Sequence, residues 1–202
     1  MTSRFHDRSG FTLTELLMVM MVMTILYCIA LSALRAVDRT ARKTAARAEL
    51  KSIEAAFTQY YAHYQNWPGD LGGDADPGDV TIDAALAGIL NGSNDGGRGR
   101  DNGGNPDKLV FIEFSHMAKE NGGDVPVNPW GSSGRYRFEK EKCLYHVSVD
   151  ADGDNYVRFD PSGKDSGTSS ASAVRYRGSV IVWTHNPELS TDNEDYLIGS
   201  WQ

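Results

Sequence analysis

The feature that most constrains this chain is an uncharged apolar run near its N-terminus, LLMVMMVMTILYCIALSAL at residues 16–34. As an α-helix these nineteen residues span about 28 Å, close to the roughly 30 Å hydrocarbon core of a bilayer. The run is longer than the apolar region of a secretory signal peptide, and no small-residue cleavage site follows it. The sequence therefore predicts a membrane-spanning helix that stays attached to the protein.

A carboxylate lies directly beside this run, because Glu15 immediately precedes residues 16–34. Ionisable groups within a membrane segment are costly, and they indicate a functional role by default. The run contains no charged residue that could pair with Glu15. We therefore expect the partner of this carboxylate to come from elsewhere.

The residues around Glu15 form a specific pattern, GFTLTELL at residues 10–17. This pattern resembles the processing site of type IV pilins and type II secretion pseudopilins. The resemblance implies that a prepilin peptidase cuts after Gly10 and methylates the new amine of Phe11. It also implies that Glu15 pairs with the amine of an adjacent subunit, which sets the register between copies. Thr14 departs from the pattern, since many members have an apolar or other residue there.

The helical pattern continues beyond the membrane run, and no Pro or Gly occurs between Phe11 and Trp67. Residues 33–64 are rich in helix-forming Ala, Leu, Lys, Arg and Glu. We predict one helix of roughly 50 residues that ends near Tyr64, where Pro68 and Gly69 break it. A coiled-coil seam is the competing interpretation, and the family resemblance favours packing on a globular head. The predicted buried stripe recurs at steps of three and four: Ala46, Leu50, Ile53, Phe57, Tyr60 and Tyr64.

The head, residues 67–202, has the pattern of a small β-rich domain. Alternating or bounded apolar segments predict strands at 143–149, 156–159 and 178–184, and residues 135–141 and 143–149 are predicted to pair as a hairpin or to form successive strands. A short helix is predicted within 81–90, a strand or helical turn at 108–114, and a turn before a strand at 125–131. The predicted fold is α+β and pilin-like, with an antiparallel sheet packed on the C-terminal half of the long helix. The predicted segments are a leader (1–10), a transmembrane half-helix (11–37), an amphipathic half-helix (38–66) and the head.

Several motifs in the head resemble the major pseudopilins of type II secretion, although the likeness over residues 105–202 is looser than at the N-terminus. The segment NPWG at residues 128–131 is similar to a DPWG turn of that group, with Asn128 in place of the Asp. An Asp-rich turn and a C-terminal segment ending in SW also match in part. The segment HNPEL departs from the family pattern in the terminal loop.

Two acidic clusters are candidate calcium sites. Asp150, Asp152 and Asp154 place oxygen ligands at alternate positions, a spacing that suits a hard cation. Asn155 and Pro161 stand where an EF-hand has Gly and Glu, so a solvated turn between strands remains the alternative. The second cluster is Asp192, Glu194 and Asp195. The resemblance implies calcium there, because major pseudopilins hold a structural calcium in their C-terminal loop.

The charge distribution argues against a nucleic-acid partner. The net charge is −7, and residues 65–202 hold 12 Lys and Arg against 22 Asp and Glu. Residues 35–64 are basic, with six cations against three anions. The two cysteines, Cys28 and Cys143, are far apart in the sequence and predict no disulfide framework.

No catalytic pattern occurs, because the five histidines show no ligand spacing and no serine lies in a nucleophile motif. We therefore expect a non-enzymatic fibre subunit anchored by a single pass in the inner membrane, with its head in the periplasm. The implied partners are further copies, minor pseudopilins, prepilin peptidase, and an assembly platform with its ATPase. The alternatives are a type IV pilin for adhesion, motility or DNA uptake, and a non-polymerising single-pass calcium-binding surface protein.

Overall fold

The computed structural model describes residues 11–69, 71, 80–94, 103–120, 123–131, 140–159, 174–191, 193 and 196–201. The chain divides into an N-terminal unit, residues 1–41, and a C-terminal unit, residues 42–202. The helices are α1 (Leu13–Tyr64), α2 (Ala84–Leu90) and a 3-10 helix (Lys140–Cys143). The strands are β1 (Val80–Thr81), β2 (Met117–Glu120), β3 (Gly123–Pro126), β4 (Tyr145–Val149), β5 (Tyr156–Phe159), β6 (Val174–Arg177), β7 (Val180–His185) and β8 (Leu197–Gly199).

Helix α1 is the single long helix that the sequence predicts, with 52 residues. It ends at Tyr64, four residues before Pro68, so the expected cause of its termination is wrong. Gln65 adopts a left-handed backbone conformation with φ 55°, and its N–H donates to the carbonyl of Tyr61 at 2.8 Å. This C-terminal cap closes the helix, and the proline only prevents the helix from resuming.

The described part of the N-terminal unit, residues 11–41, is helical from Leu13 onward. Its large apolar side chains between Phe11 and Val37 are exposed, with Phe11 77% and Met18 71% accessible. The helix contains an apolar segment long enough to cross a membrane. A continuous exposed apolar surface of this kind needs lipid or other apolar helices around it.

The C-terminal unit is built on a four-stranded antiparallel sheet with the order β1-β4-β7-β8. Two antiparallel hairpins, β2–β3 and β5–β6, accompany this sheet. Val157 of β5 forms a small second cluster with Ile181 and Trp183 of β7. Both faces of β7 are therefore covered, and all six of its residues are buried.

The main core lies between the predicted stripe of α1 and the other face of the sheet. All six stripe residues are buried, and Leu50, Phe57 and Tyr60 have no accessible surface. Their partners in the same cluster include Val147 of β4, Val182 of β7 and Ile198 of β8. The prediction of an antiparallel sheet on the C-terminal half of the helix is confirmed.

Two predicted elements of the head differ in the structure. Residues 108–114 form neither a strand nor a helical turn, yet Phe111, Ile112 and Phe114 pack against the core. The backbone N–H of Phe111 donates to the carbonyl of Leu90 at 2.9 Å. This segment thus has an irregular backbone that is hydrogen-bonded to the end of α2, and its aromatic and aliphatic side chains pack against the core.

The predicted hairpin of 135–141 with 143–149 is also corrected where the structure describes it. Residues 132–139 lie outside the described residues, and Lys140 begins the 3-10 helix that ends at Cys143. Strand β4 pairs with β1 and β7 instead. The predicted turn at 125–131 begins within strand β3, whose partner β2 was not predicted.

Candidate functional site

The N-terminus of α1 carries a reciprocal pair of capping residues. Thr12 precedes the helix, and its backbone N–H and hydroxyl both donate to Oε2 of Glu15, at 2.9 and 2.8 Å. The N–H of Glu15 lies 3.3 Å from the hydroxyl oxygen of Thr12. This is a capping box, which satisfies backbone donors that a helix N-terminus leaves unbonded.

The capping box gives Glu15 hydrogen-bond partners in its own chain, which was not predicted. The signal was present, since Thr12-x-x-Glu15 is a capping-box pattern. The bonds come from neutral donors, and Glu15 forms no salt bridge with any residue that the structure describes. Its predicted pairing with the Phe11 amine of another copy stays a prediction. The described part of this site is Phe11 to Glu15, and Gly10 lies outside it.

The first predicted calcium cluster is brought together by the turn between β4 and β5. Asp150, Asp152 and Asp154 each offer one carboxylate oxygen, and these atoms lie within 4.8 Å of one another. The loop needs left-handed backbone at Gly153, with φ 77°, and at Asn155, with φ 62°. Gly and Asn are the residues that adopt this conformation most readily.

The three carboxylates already have different hydrogen-bond partners. Asp150 accepts from the backbone N–H groups of Gly153, Asp154 and Asn155, at 2.7, 3.2 and 2.9 Å. Oδ2 of Asp154 pairs with the guanidinium of Arg175 at 2.9 Å. The loop is therefore closed by its own backbone and by an arginine, and calcium binding there stays a prediction. The second cluster, Asp192, Glu194 and Asp195, lies outside the described residues.

Asn128 is the first residue of the NPWG turn and is fully buried. Its amide nitrogen donates to Oγ1 of Thr184 and to the carbonyl of His185, both at 2.9 Å. Its amide oxygen accepts from the backbone N–H groups of Trp130 and Gly131, at 3.2 and 3.1 Å. The side chain therefore joins this turn to β7 through both donors and acceptors.

One polar cluster was not predicted from the sequence. Glu49 of α1 accepts from the hydroxyl of Tyr145 in β4 and lies 2.8 Å from Nδ1 of His116. Burial, and then the nearby carboxylate of Glu49, raise the pKa of Tyr145 well above its usual range. The hydrogen bonds among these three groups thus link α1, strand β4 and the residue before strand β2. Their residues are scattered in the sequence, so no spacing signals the cluster.

The comparisons with known proteins bear on the N-terminus. Residues 5–26 match the family described as the prokaryotic N-terminal methylation motif. This match includes Gly10, Phe11 and Glu15 and the first part of the apolar run. No curated protein and no solved structure matches the chain significantly.

Proposed function

We propose, from the N-terminal methylation motif that this chain shares with type IV pilins and pseudopilins, that it is a structural subunit of a type II secretion pseudopilus. The observation that carries this proposal is the motif at the start of a 52-residue helix with an exposed apolar first half. An apolar helix with this motif indicates membrane anchoring of a pilin-like protein. The subunit is made as a precursor, held in the inner membrane with its head in the periplasm, and then assembled.

The N-terminal residues of the motif have separate roles in processing and assembly. Prepilin peptidase cuts after Gly10 and methylates the amine of Phe11. A cation at a helix N-terminus lies at the unfavourable end of the helix dipole. The carboxylate of Glu15 in an adjacent copy neutralises this amine, in surroundings where an unpaired charge is costly. Leaving the capping box costs Glu15 its bonds to Thr12, and the ionic pair in the fibre offsets that cost.

In the fibre, the apolar half-helices pack together and the acidic heads face outward. The assembly platform and its ATPase drive extrusion, and minor pseudopilins are further partners. The described cysteines support a pseudopilus over a type IV pilus, since Cys28 is exposed on α1 and Cys143 is buried as a free thiol. Many type IV pilins close a loop near the tail with a disulfide. A type IV pilin is the alternative function, and the acidic head argues against DNA uptake.

Fibre assembly by Glu15 variants tests the proposed function. Glu15→Gln keeps acceptor capacity towards Thr12 and removes the charge, so we expect a processed protein that no longer forms fibres. Glu54→Gln removes a carboxylate from the same helix outside the motif and serves as the matched control. Fibres of Glu15→Gln equal in yield to the wild type contradict the assembly role. A wild type that forms no fibres favours a single-pass surface protein, because an anchor that does not polymerise has no use for Glu15.

The host phenotype distinguishes the pseudopilus from the pilus. We expect deletion of the gene to stop the export of folded proteins and to leave surface fibres in place. Loss of surface fibres with normal export contradicts the proposal and favours the type IV pilin. Electron microscopy of cells and assay of the medium for exported proteins give the two readouts.

We also propose that calcium stabilises the head, through the C-terminal cluster at 192–195 or through Asp150, Asp152 and Asp154. A ligand that binds only the folded state adds about 2.7 kcal/mol at a concentration of 100 Kd. We expect calcium to raise the Tm of the full chain in detergent, and magnesium to raise it less. Asp195→Asn and Asp152→Asn show which cluster binds calcium, because the rise in Tm should be lost only in the variant of that cluster. An unchanged Tm at millimolar calcium contradicts the proposal.

A further inference from the structure

We propose that a groove on the C-terminal unit binds the guanidinium of Arg35 from a second copy of this chain. We call it the aromatic–acidic groove, and Tyr61, Trp67 and Asp152 are the residues that carry the proposal. Gln65, Asn155 and Ser179 also line it. The inference rests on the proposed function, because it names a contact between copies in the fibre.

One part of the groove lining is a pair of aromatic rings in contact, Tyr61 and Trp67. The centroids of Tyr61 and Trp67 are 4.5 Å apart, with 32° between the ring planes. Trp67 is buried, whereas Tyr61 is 41% exposed. Nε1 of Trp67 donates to the carbonyl of Asp150 at 2.9 Å, which fixes the pair beside the acidic loop. The exposed ring of Tyr61, held in this way, offers a flat, electron-rich face to a planar cation.

The groove is also lined by a carboxylate, Asp152, that has no cation beside it among the described residues. Asp152 is exposed, and its Oδ1 accepts from the backbone N–H of Asp154 at 3.0 Å. It forms no salt bridge with any described residue, in contrast to Asp154, which pairs with two arginines. No Lys or Arg is among the described residues that line the groove.

The other side of the same loop shows how these groups bind an arginine. The guanidinium of Arg175 lies 4.4 Å from the ring centroid of Tyr156 and 2.9 Å from Oδ2 of Asp154. An aromatic face and a carboxylate together therefore hold one arginine within this unit. The groove presents the same two groups, Tyr61 and Asp152, so we expect it to select a guanidinium. A guanidinium stacks on rings and bonds carboxylates more effectively than an ammonium does.

Among the basic residues of α1, Arg35 is the cation that fits this role. It is exposed and forms no hydrogen bond or salt bridge with any described residue, whereas Lys51 pairs with Glu54 at 3.2 Å. The basic residues between them, Arg39, Arg42, Lys43 and Arg47, already interact within the chain. Arg35 directly follows the apolar run, so packing of that run in a fibre removes water from it. A charge that loses water needs an anionic partner.

Charge reversal tests the contact in fibres of the full chain, assembled in a calcium chelator. We expect Asp152→Arg to reduce fibre yield about tenfold or more, the loss expected for one charge-assisted contact replaced by repulsion. Combining it with Arg35→Asp restores the pair and the yield. Asp124→Arg is the matched control, because Asp124 is an exposed carboxylate of the β2–β3 hairpin that already pairs with Lys119. Tyr61→Ala is expected to weaken assembly without changing charge.

The failure of this inference differs from the failure of the proposed function. If the wild type is processed but assembles neither in the chelator nor with added calcium, the fibre-subunit function fails and the contact fails with it. If the wild type assembles and Asp152→Arg assembles equally well, only the inference is overturned. Rescue of Asp152→Arg by Lys51→Glu, and not by Arg35→Asp, also overturns it. A disulfide between copies carrying Arg35→Cys and Asp152→Cys, in a Cys28→Ser background, gives an independent positive result.

Discussion

Replacing Asn128 by Asp exchanges the amide nitrogen of this buried side chain in the NPWG turn for an oxygen. The amide nitrogen of Asn128 donates two hydrogen bonds, to Oγ1 of Thr184 and to the carbonyl of His185. An ionised carboxylate donates none. The hydroxyl of Thr184 could turn towards the new carboxylate, but it then gives up its bond of 2.8 Å to the carbonyl of Leu144. No rotation supplies a donor to the carbonyl of His185.

The expected cost follows from these two lost donors. Each net hydrogen bond contributes about 1 kcal/mol, and a buried acceptor left without a donor costs a further 1–3 kcal/mol or so. The new carboxylate also loses its hydration, since Asn128 has no accessible surface. We expect Asn128→Asp to lower the free energy of unfolding by about 3 kcal/mol or more at pH 7. For a protein of this size that is a fall in Tm of roughly 6–12 °C.

Urea unfolding of the full chain in detergent measures this change, with Gln59→Glu as the control. Gln59 is exposed on α1, so the same amide-to-carboxylate change there should cost little. Burial raises the pKa of the introduced carboxyl, and its protonated form can donate again. The deficit should therefore shrink as the pH falls towards the ordinary pKa of an Asp carboxyl, about 3.9, and grow as the pH rises above it. A variant as stable as Gln59→Glu at pH 7, or a deficit that does not depend on pH, refutes the reasoning.

Two further predictions concern Tyr145 and Thr12. Burial and Glu49 raise the pKa of Tyr145, so the unfolded chain loses this proton first. The contribution of Tyr145 to the free energy of unfolding is therefore fully present below pH 10. Above pH 10 the free energy of unfolding should fall by about 1.4 kcal/mol per pH unit. Urea unfolding between pH 8 and 11 checks this, and a slope unchanged in Tyr145→Phe contradicts it. Thr12→Val removes the capping hydroxyl, so the amide of Glu15 should exchange its hydrogen about fivefold faster in detergent; equal rates in Thr12→Val and Thr12→Ser refute the cap.

The parts of the fold that were predictable follow from periodicity. The stripe from Ala46 to Tyr64 repeats every three or four residues, and every member of it is buried. Strand β7 was predictable because its residues are β-branched or aromatic and bounded by turn residues. Strand β2 was not, since its sequence MAKE has little β propensity and is a strand only because β3 pairs with it.

The unpredicted parts of the site depend on contacts between distant residues or on local bonds to the backbone. Glu49, His116 and Tyr145 come from three separate segments, so their cluster exists only once the core has formed. The left-handed cap at Gln65 overrides Pro68 as the end of the helix. At Glu15 the sequence indicated a functional carboxylate, and the structure adds that Thr12 holds it in the isolated chain.

The most direct test of the central claim is the intact mass of the protein after co-expression with a prepilin peptidase, beside Glu15→Ala and an uncleavable Gly10→Val control. The account predicts a chain that lacks residues 1–10 and carries one methyl group on the amine of Phe11. Glu15→Ala should still be cut and should then fail to assemble. A chain that still begins at Met1 in the presence of active peptidase contradicts the account and leaves an ordinary membrane anchor.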